Sequence, residues 1–382
     1  MQTIIIYGTG SYVLGNKYVK PVILPSVLGF LKKNSLSANI VFIKKTSSNI
    51  IKTNNKIKKI IKDFNIQIKY EVYNLEQKNN LEILTKLKNF NIIFSIISVP
   101  DNQHFKLAYQ CLKKFINIIV VKPLVTSVSE NLKLINLAKK NNCLGFVDYH
   151  KRFDKHSKLI KEYNYKQKNN LYLIDINYSQ KKNIPIKVFN WSENTNILNY
   201  LGSHYLDFVS HTTNFKPTYV MAIGIKKFLI KKNYNTYDSI VCLVKWKNKN
   251  DEFLLNLKTS WIDPLKETAM SDQKVTLYYT NSKIISDQKN RGFYISDDKN
   301  EYESINPDFN QTFHDFTNKT KNYEGYGFNS LVNFMELILQ KSQIPDSQLK
   351  NLPTLQSSLI ISQILEAANK SLKNKSKWIK IN

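Results

Sequence analysis

Gly8 and Gly10, with Thr9 between them and Ser11 and Tyr12 after them, form the first constellation in the sequence that can do chemistry. Glycine at the first position permits a tight turn. At the second it lets backbone N–H groups approach a pyrophosphate at a helix N-terminus. The turn directly follows Thr3–Tyr7, an apolar run that opens a βαβ series. Val13 occupies the place of the third glycine in G-x-G-x-x-G, and Gly15 comes two residues later, so a plain strand-to-helix turn is the alternative. A second constellation follows the next strand, Asn39–Ile43, where Lys44-Lys45-Thr46-Ser47-Ser48 offers two cations and several hydroxyls but no carboxylate. A carboxylate there would hold a ribose 2′-hydroxyl, whereas cations and hydroxyls suit a 2′-phosphate. The expected cofactor is therefore NADP or NAD, with the balance toward NADP. Two more surface lysines in a lysine-rich chain is the competing reading.

Other chemistries find little support. Cys111, Cys143 and Cys242 lie far apart without a CxxC pair, which suits a reducing cytosol and offers no zinc site. His150 and His156 lack metal-ligand partners at suitable spacing, and no HExxH-like helix exists, so no metal is expected. The chain carries 56 basic and 29 acidic residues, a net charge of +27. Its lysines are spread throughout, and arginine, the residue nucleic-acid readers use for bidentate contacts, occurs only at Arg152 and Arg291. The excess reads as compositional drift rather than a nucleic-acid face. No long apolar run suggests a membrane span, and the N-terminus has no signal-peptide pattern, so a cytoplasmic protein is expected.

The elements that must position these residues are an α/β pattern followed by a change of texture. At 382 residues the chain fits two domains. Strands at Thr3–Tyr7, Asn39–Ile43, Ile68–Tyr73, Asn91–Val99, Asn117–Val121 and Cys143–Val147 alternate with helices near Leu24–Lys32, Asn49–Asp63, His104–Lys114 and Val128–Asn141. This predicts a doubly wound parallel sheet over residues 1–148. From 149 to 382 the strands become longer and alternating: Leu171–Tyr178, Thr218–Ile225, Ser239–Trp246, Glu252–Ser260, Lys274–Tyr279 and Lys283–Gln288. They predict one large, mainly antiparallel sheet in an α+β domain, interrupted by a helix at Asn199–Thr212. Closing helices at Phe328–Gln340 and Thr354–Ser371 are free to pack back on the first domain.

Several motifs together resemble the Gfo/Idh/MocA family, the glucose-fructose oxidoreductase and inositol dehydrogenase group. Ser98-Val99-Pro100-Asp101-Asn102-Gln103-His104 is similar to its strand-ending proline segment. Val121-Lys122-Pro123-Leu124 resembles its Glu-Lys-Pro, Tyr149-His150-Lys151-Arg152-Phe153-Asp154 its Asn-x-Arg-Phe, and Leu201-Gly202-Ser203-His204-Tyr205-Leu206-Asp207 the helix bearing its histidine. The end, Leu365–Lys380, is similar to its closing helix and strand, so the resemblance spans nearly the whole chain.

The resemblance implies hydride transfer between nicotinamide and a hydroxyl-bearing carbon of a sugar, cyclitol or derivative. It implies catalytic roles for Lys122 and His204. An ammonium at Lys122 hydrogen-bonds the reacting hydroxyl and favours its alkoxide, while His204, a residue type whose unperturbed pKa near neutrality suits general base work, takes the proton across the cleft. Gly8, Thr9, Gly10, Ser11, Tyr12, Lys44, Lys45, Ser98, Val99, Pro100, His104 and Lys122 are the expected cofactor contacts. Substrate contacts are expected from Lys122, Lys151, Arg152, Tyr200, His204 and Trp261. Lys151 and Arg152 can meet an anionic group or be a pair of surface charges, and Trp261 can line the pocket or cap the sheet. An exposed sheet face in the second domain implies a homo-oligomer, a dimer or tetramer.

Two departures stand out. Tyr200 replaces an aspartate one turn before His204, and Val121 replaces the acid before Lys122. Tyr200 can touch substrate or merely pack. Both departures keep open a second function, a catalytically inactive sensor that binds cofactor or sugar.

Overall fold

The computed structural model describes residues 2–46, 48–87, 90–167, 170–189, 191–296 and 302–381. It divides into two compact units. One comprises Met1–Leu124, Asn131–Phe153 and Asp308–Ser357, the other Val125–Glu130, Asp154–Pro307 and Ser358–Asn382.

The first unit is built on six strands, β1 (Gln2–Tyr7), β2 (Ala38–Lys44), β3 (Tyr70–Asn74), β4 (Asn91–Ile97), β5 (Asn117–Val120) and β6 (Gly145–Val147). All neighbours pair in parallel, in the order β3-β2-β1-β4-β5-β6. Both faces are covered, which is why the strands read as continuous Ile- and Val-rich runs; all seven residues of β2 are buried. The order reverses between β1 and β4, the place where such sheets open a ligand crevice beyond their strands' carboxyl ends.

Connecting helices are α1 (Ser11–Leu14), α2 (Ile23–Lys33), α3 (Ile50–Phe64), α4 (Asn80–Lys86), α5 (His104–Lys113) and α6 (Val128–Lys140). In α3 the buried residues Thr53, Ile57, Ile60 and Phe64 recur every three or four positions, so one stripe faces the unit's core. The later helix α9 (Tyr326–Leu339) joins this core through Phe328, Leu331, Phe334 and Met335, and the Phe334 ring stacks on Phe146 of β6 at 5.1 Å. The outer edge of β6 is covered too: the Val147 amide donates to the Pro353 carbonyl, and the Leu355 amide to that of Gly145.

The glycine turn leads into a single helical turn, α1, and the full helix expected near Leu24–Lys32 follows as α2. α1 ends at Gly15, whose φ of +69° favours glycine and where a Cβ would lie 2.8 Å from Pro21 Cδ. The Asn16 side chain then accepts the amides of Tyr18 and Val19, and α2 starts after Pro21. Three small elements of this unit also went unread: α4, the hairpin β15 (Gln311–Asp315) and β16 (Thr320–Glu324), and α10 (Asp346–Leu349). They are short and largely exposed, and leave little hydrophobic periodicity.

The second unit centres on a seven-stranded sheet ordered β12-β11-β7-β10-β9-β8-β17. Its strands are β7 (Leu171–Lys181), β8 (Lys216–Ile225), β9 (Ser239–Lys247), β10 (Glu252–Asp263), β11 (Ser271–Tyr279), β12 (Lys283–Asp287) and β17 (Ile379–Lys380). Every pairing is antiparallel except β7 with β10. Helices α7 (Lys155–Gln167), α8 (Ser203–Thr212) and α11 (Leu359–Lys373) belong to this unit, with a small ladder of β13 (Tyr294–Ile295) and β14 (Glu303–Ser304). Alternation is strict in β10, where Phe253, Leu255, Leu257, Thr259 and Trp261 are buried and the residues between them are not.

Candidate functional site

In the first unit the expected cofactor residues gather at the carboxyl ends of β1, β2, β4 and β5. Gly8 has φ +98°, and a Cβ there would lie 2.0 Å from the Ser98 carbonyl oxygen. Its amide donates to Ile43 O at 2.8 Å, and the Ser98 amide donates to Tyr7 O at 2.9 Å. The turn is thus clamped between its neighbouring strands, and only glycine fits. Gly10 is the opposite case: nothing lies within 4 Å of where its Cβ would be, so the backbone there faces open space. This pair, one closed and one open glycine, fits the close approach of a dinucleotide pyrophosphate. Thr9, Ser11, Tyr12, Ser98, Val99 and Pro100 are all partly exposed around it.

Lys44 is buried, and its ammonium donates to the Ser48 carbonyl at 2.5 Å. Burial lowers its pKa, against a smaller opposing influence from Glu76. Lys45 is exposed, and the Thr46 and Ser48 hydroxyls lie 2.8 Å apart. Ser47 lies outside the described residues.

Lys122 follows β5 and is partly exposed. Desolvation of its amine pulls the pKa down to about 7, with Asp101 and Asp148 pulling the other way. A residue poised there donates a proton, or a hydrogen bond, at neutral pH with little driving force in either direction.

His104 is 1% exposed, with Nδ1 2.7 Å from the Pro123 carbonyl and Nε2 2.9 Å from that of Val99. The expected cofactor contact is corrected here: both ring nitrogens face backbone carbonyls. The ring bridges the Ser98–Pro100 turn to the segment that carries Lys122. Lys151 and Arg152 are 2% and 9% exposed, which removes the reading of two surface charges. Arg152 Nη1 donates to the Asn351 carbonyl at 3.3 Å.

In the second unit His204 lies in α8, 3% exposed, within a run buried from Ser203 to Val209. Tyr200 lies in the preceding turn. Its ring makes edge contacts with Phe189 at 4.9 Å and Trp191 at 5.5 Å, and a tilted contact with Trp261 at 5.9 Å. Burial raises the Tyr200 hydroxyl pKa, so it stays neutral. Trp261 is fully buried, and its indole N–H donates to Gln180 Oε1 at 3.2 Å. The expectation of a pocket-lining indole is therefore corrected. β10 runs on past Ser260 to Asp263, and the strand's parity turns Trp261 inward. Phe189 and Trp191, which are partly exposed, were missed; the aromatic run Phe189–Trp191 ahead of Tyr200 is the signal that could have found them.

Asp148 was also missed as a site residue. It is 1% exposed and accepts the Tyr12 hydroxyl at 2.8 Å and the Ser330 hydroxyl at 2.9 Å. A carboxylate placed directly after the strand that pairs with β5 is the available signal.

Residues 6–149 match the family model described as "Oxidoreductase family, NAD-binding Rossmann fold". The match ends beside Asp148 and takes in the glycine turn and Lys122. This segment is a Gfo/Idh/MocA Rossmann domain. The match shows an NAD-binding Rossmann fold of an oxidoreductase family in this segment. No curated protein matches the chain in sequence.

Solved structures of similar fold cover the whole chain. GenD2 from gentamicin A biosynthesis, in complex with NAD, is 12% identical with a TM-score of 0.70, covering 100% of this chain and 96% of that one. A myo-inositol dehydrogenase from Corynebacterium glutamicum is 14% identical, TM-score 0.64, covering 100% and 99%. An apo scyllo-inositol dehydrogenase from Lactobacillus casei is 12% identical, TM-score 0.65, covering 99% and 98%. At such identities the likeness concerns the fold. No helix among the described residues is long and apolar enough to cross a membrane.

Proposed function

We propose that the protein is an NAD(P)-linked dehydrogenase or reductase acting on a CH–OH carbon of a sugar, cyclitol or derivative. The observation that carries this reading is Lys122: a lysine with its pKa near 7, at the carboxyl end of a strand in a dinucleotide-binding sheet. A bound dinucleotide supplies the hydride acceptor or donor at nicotinamide C4. Gly8 to Tyr12 hold its pyrophosphate by backbone N–H groups, with Ser98, Val99 and Pro100 beside them. Lys122 hydrogen-bonds the reacting oxygen and stabilises negative charge there. His204 takes the hydroxyl proton in oxidation and returns it in reduction. Tyr200, Phe189 and Trp191 form an aromatic surface suited to the apolar face of a sugar or cyclitol ring. Retention of both Lys122 and His204 favours turnover over a sensor role.

Lys45, Thr46 and Ser48 favour a 2′-phosphate, hence NADP. Fluorescence quenching with NADH and NADPH, followed by turnover on a panel of polyols and sugars, tests the reading. Tighter NADPH binding, lost in Lys45→Glu, supports the NADP preference; equal affinity for both at several salt concentrations refutes it.

The other face of the second sheet carries Met221, Ile223, Val241 and Leu243, with Ile223 46% and Val241 37% exposed. This face is proposed to bury itself against a second copy in a dimer or tetramer. A monomer by sedimentation would refute that.

A further inference from the structure

The first unit contains a buried polar knot that the reaction above does not use. Asp148 follows β6, and its amide donates to the Val120 carbonyl at 2.8 Å, two residues before Lys122. Val120 pairs with Val147 in register, so residues 121 and 148 continue side by side from adjacent strands. Position 121 is valine, so Lys122's own strand supplies no carboxylate next to it; the adjacent strand does. The Asp148 carboxylate is almost wholly buried. Oδ2 accepts from Tyr12 and Oδ1 from Ser330, and His150 Nδ1 stands 3.8 Å from Oδ2. Phe309 and Tyr326 pack on the His150 ring at 5.1 and 5.7 Å. Two neutral hydroxyls satisfy the oxygens as acceptors but do not neutralise the charge. A buried carboxylate needs a cation nearby.

Tyr12, in turn, belongs to the turn of helix that follows Gly8 and Gly10. One carboxylate therefore connects the glycine-rich turn, through a hydroxyl, with the lysine at the end of β5, through charge. We propose that Asp148 is a positioning residue: it sets the charge of Lys122 and, through Tyr12, ties that charge to the glycine-rich turn. The proposal rests on the reading of Lys122 as catalytic for its functional meaning, but not for its test.

The groups that bear on Lys122 are Asp101 from the turn after β4, Asp148 after β6, and His150, which itself feels Lys151. Burial lowers the His150 pKa from 6.5, outside the window above pH 7. Lys122 has a depressed folded-state pKa, so its contribution to stability is present at alkaline pH and is lost as pH falls toward about 7. Thermal unfolding of the full-length apoprotein from pH 6 to 9.5 reads this rise. In D148N one of the two carboxylates that favour the ammonium is gone, so the onset of the rise, which marks the folded-state pKa, moves to lower pH. In D148E, which keeps the charge, the onset moves far less. In a K122M background, D148N shifts Tm uniformly and leaves no onset to move.

An unchanged onset in D148N, or the same pH-dependent change with and without Lys122, overturns the proposal. Should D148N fail to fold, the side-chain carboxyl 13C resonance of Asp148 in the wild-type protein gives the same information. It steps at the Lys122 midpoint if the two groups interact, and a flat titration from pH 6 to 9.5 overturns the proposal. The tie to the turn is read by Y12F, which weakens NADPH binding several-fold; unaltered affinity removes that half of the claim. None of these readouts needs turnover, so a failure here is separate from a failure of Lys122 as a catalytic residue.

Discussion

Lys122 and His204, the two residues to which the proposed chemistry is assigned, have opposite kinds of surroundings. Around Lys122 the first unit assembles charge: Asp101 and Asp148 support the ammonium against the desolvation that pulls it down to about 7. Around the turn before His204 the second unit assembles rings: Tyr200 among Phe189, Trp191 and Trp261, with a hydroxyl that burial keeps neutral. The difference teaches that the lysine's surroundings are set by charge, whereas the segment leading to the histidine is set by ring packing. The histidine itself sits in a run of α8 buried from Ser203 to Val209.

The comparison can be broken first at the turn that both halves of the proposed reaction depend on. Gly8→Ala places a Cβ against the Ser98 carbonyl at positive φ. It is expected to cost at least ~2 kcal/mol in denaturant unfolding and to abolish dinucleotide binding. His204→Asn is next: turnover falls by about 10²–10⁴-fold with cofactor affinity retained, measured by steady-state kinetics and fluorescence titration. Tyr200→Asp sharpens the contrast. A carboxylate one turn from His204 raises the imidazole pKa, so the acid limb of the oxidation profile moves to higher pH by about one unit. Tyr200→Phe leaves that limb in place. The smallest effect is on stability. Between pH 7 and 9 the wild-type protein gains stability from Lys122 returning to its neutral form, and Lys122→Met removes that slope in a pH series of melting curves.

Much of the first sheet was legible because its strands are buried on both faces and so read as uninterrupted apolar runs, as in Asn91–Ile97. The place of the glycine turn was legible for the same reason: a strand end fixes where the next residues stand. Trp261 was misread because the strand was ended three residues early, and in a strand one residue of parity decides which face a side chain takes. His104 was misread because its partners are backbone carbonyls, which leave no mark in a sequence. Asp148 was missed because its value comes from register with β5 and from Tyr12, 136 positions away. Contacts of that separation cannot be read from local patterns. The hairpin β15–β16 escaped because its short, mostly polar strands, with Thr320 alone buried, impose no alternation.

The most direct test of the central claim separates binding from turnover at Lys122. NADH and NADPH affinities of Lys122→Ala are measured by fluorescence quenching beside its turnover on the best substrate of the polyol and sugar panel. The account predicts affinities within about threefold of wild type and a turnover loss of about 10²–10³-fold, the cost of removing one donor to a developing oxyanion. Undiminished turnover with binding intact would contradict it.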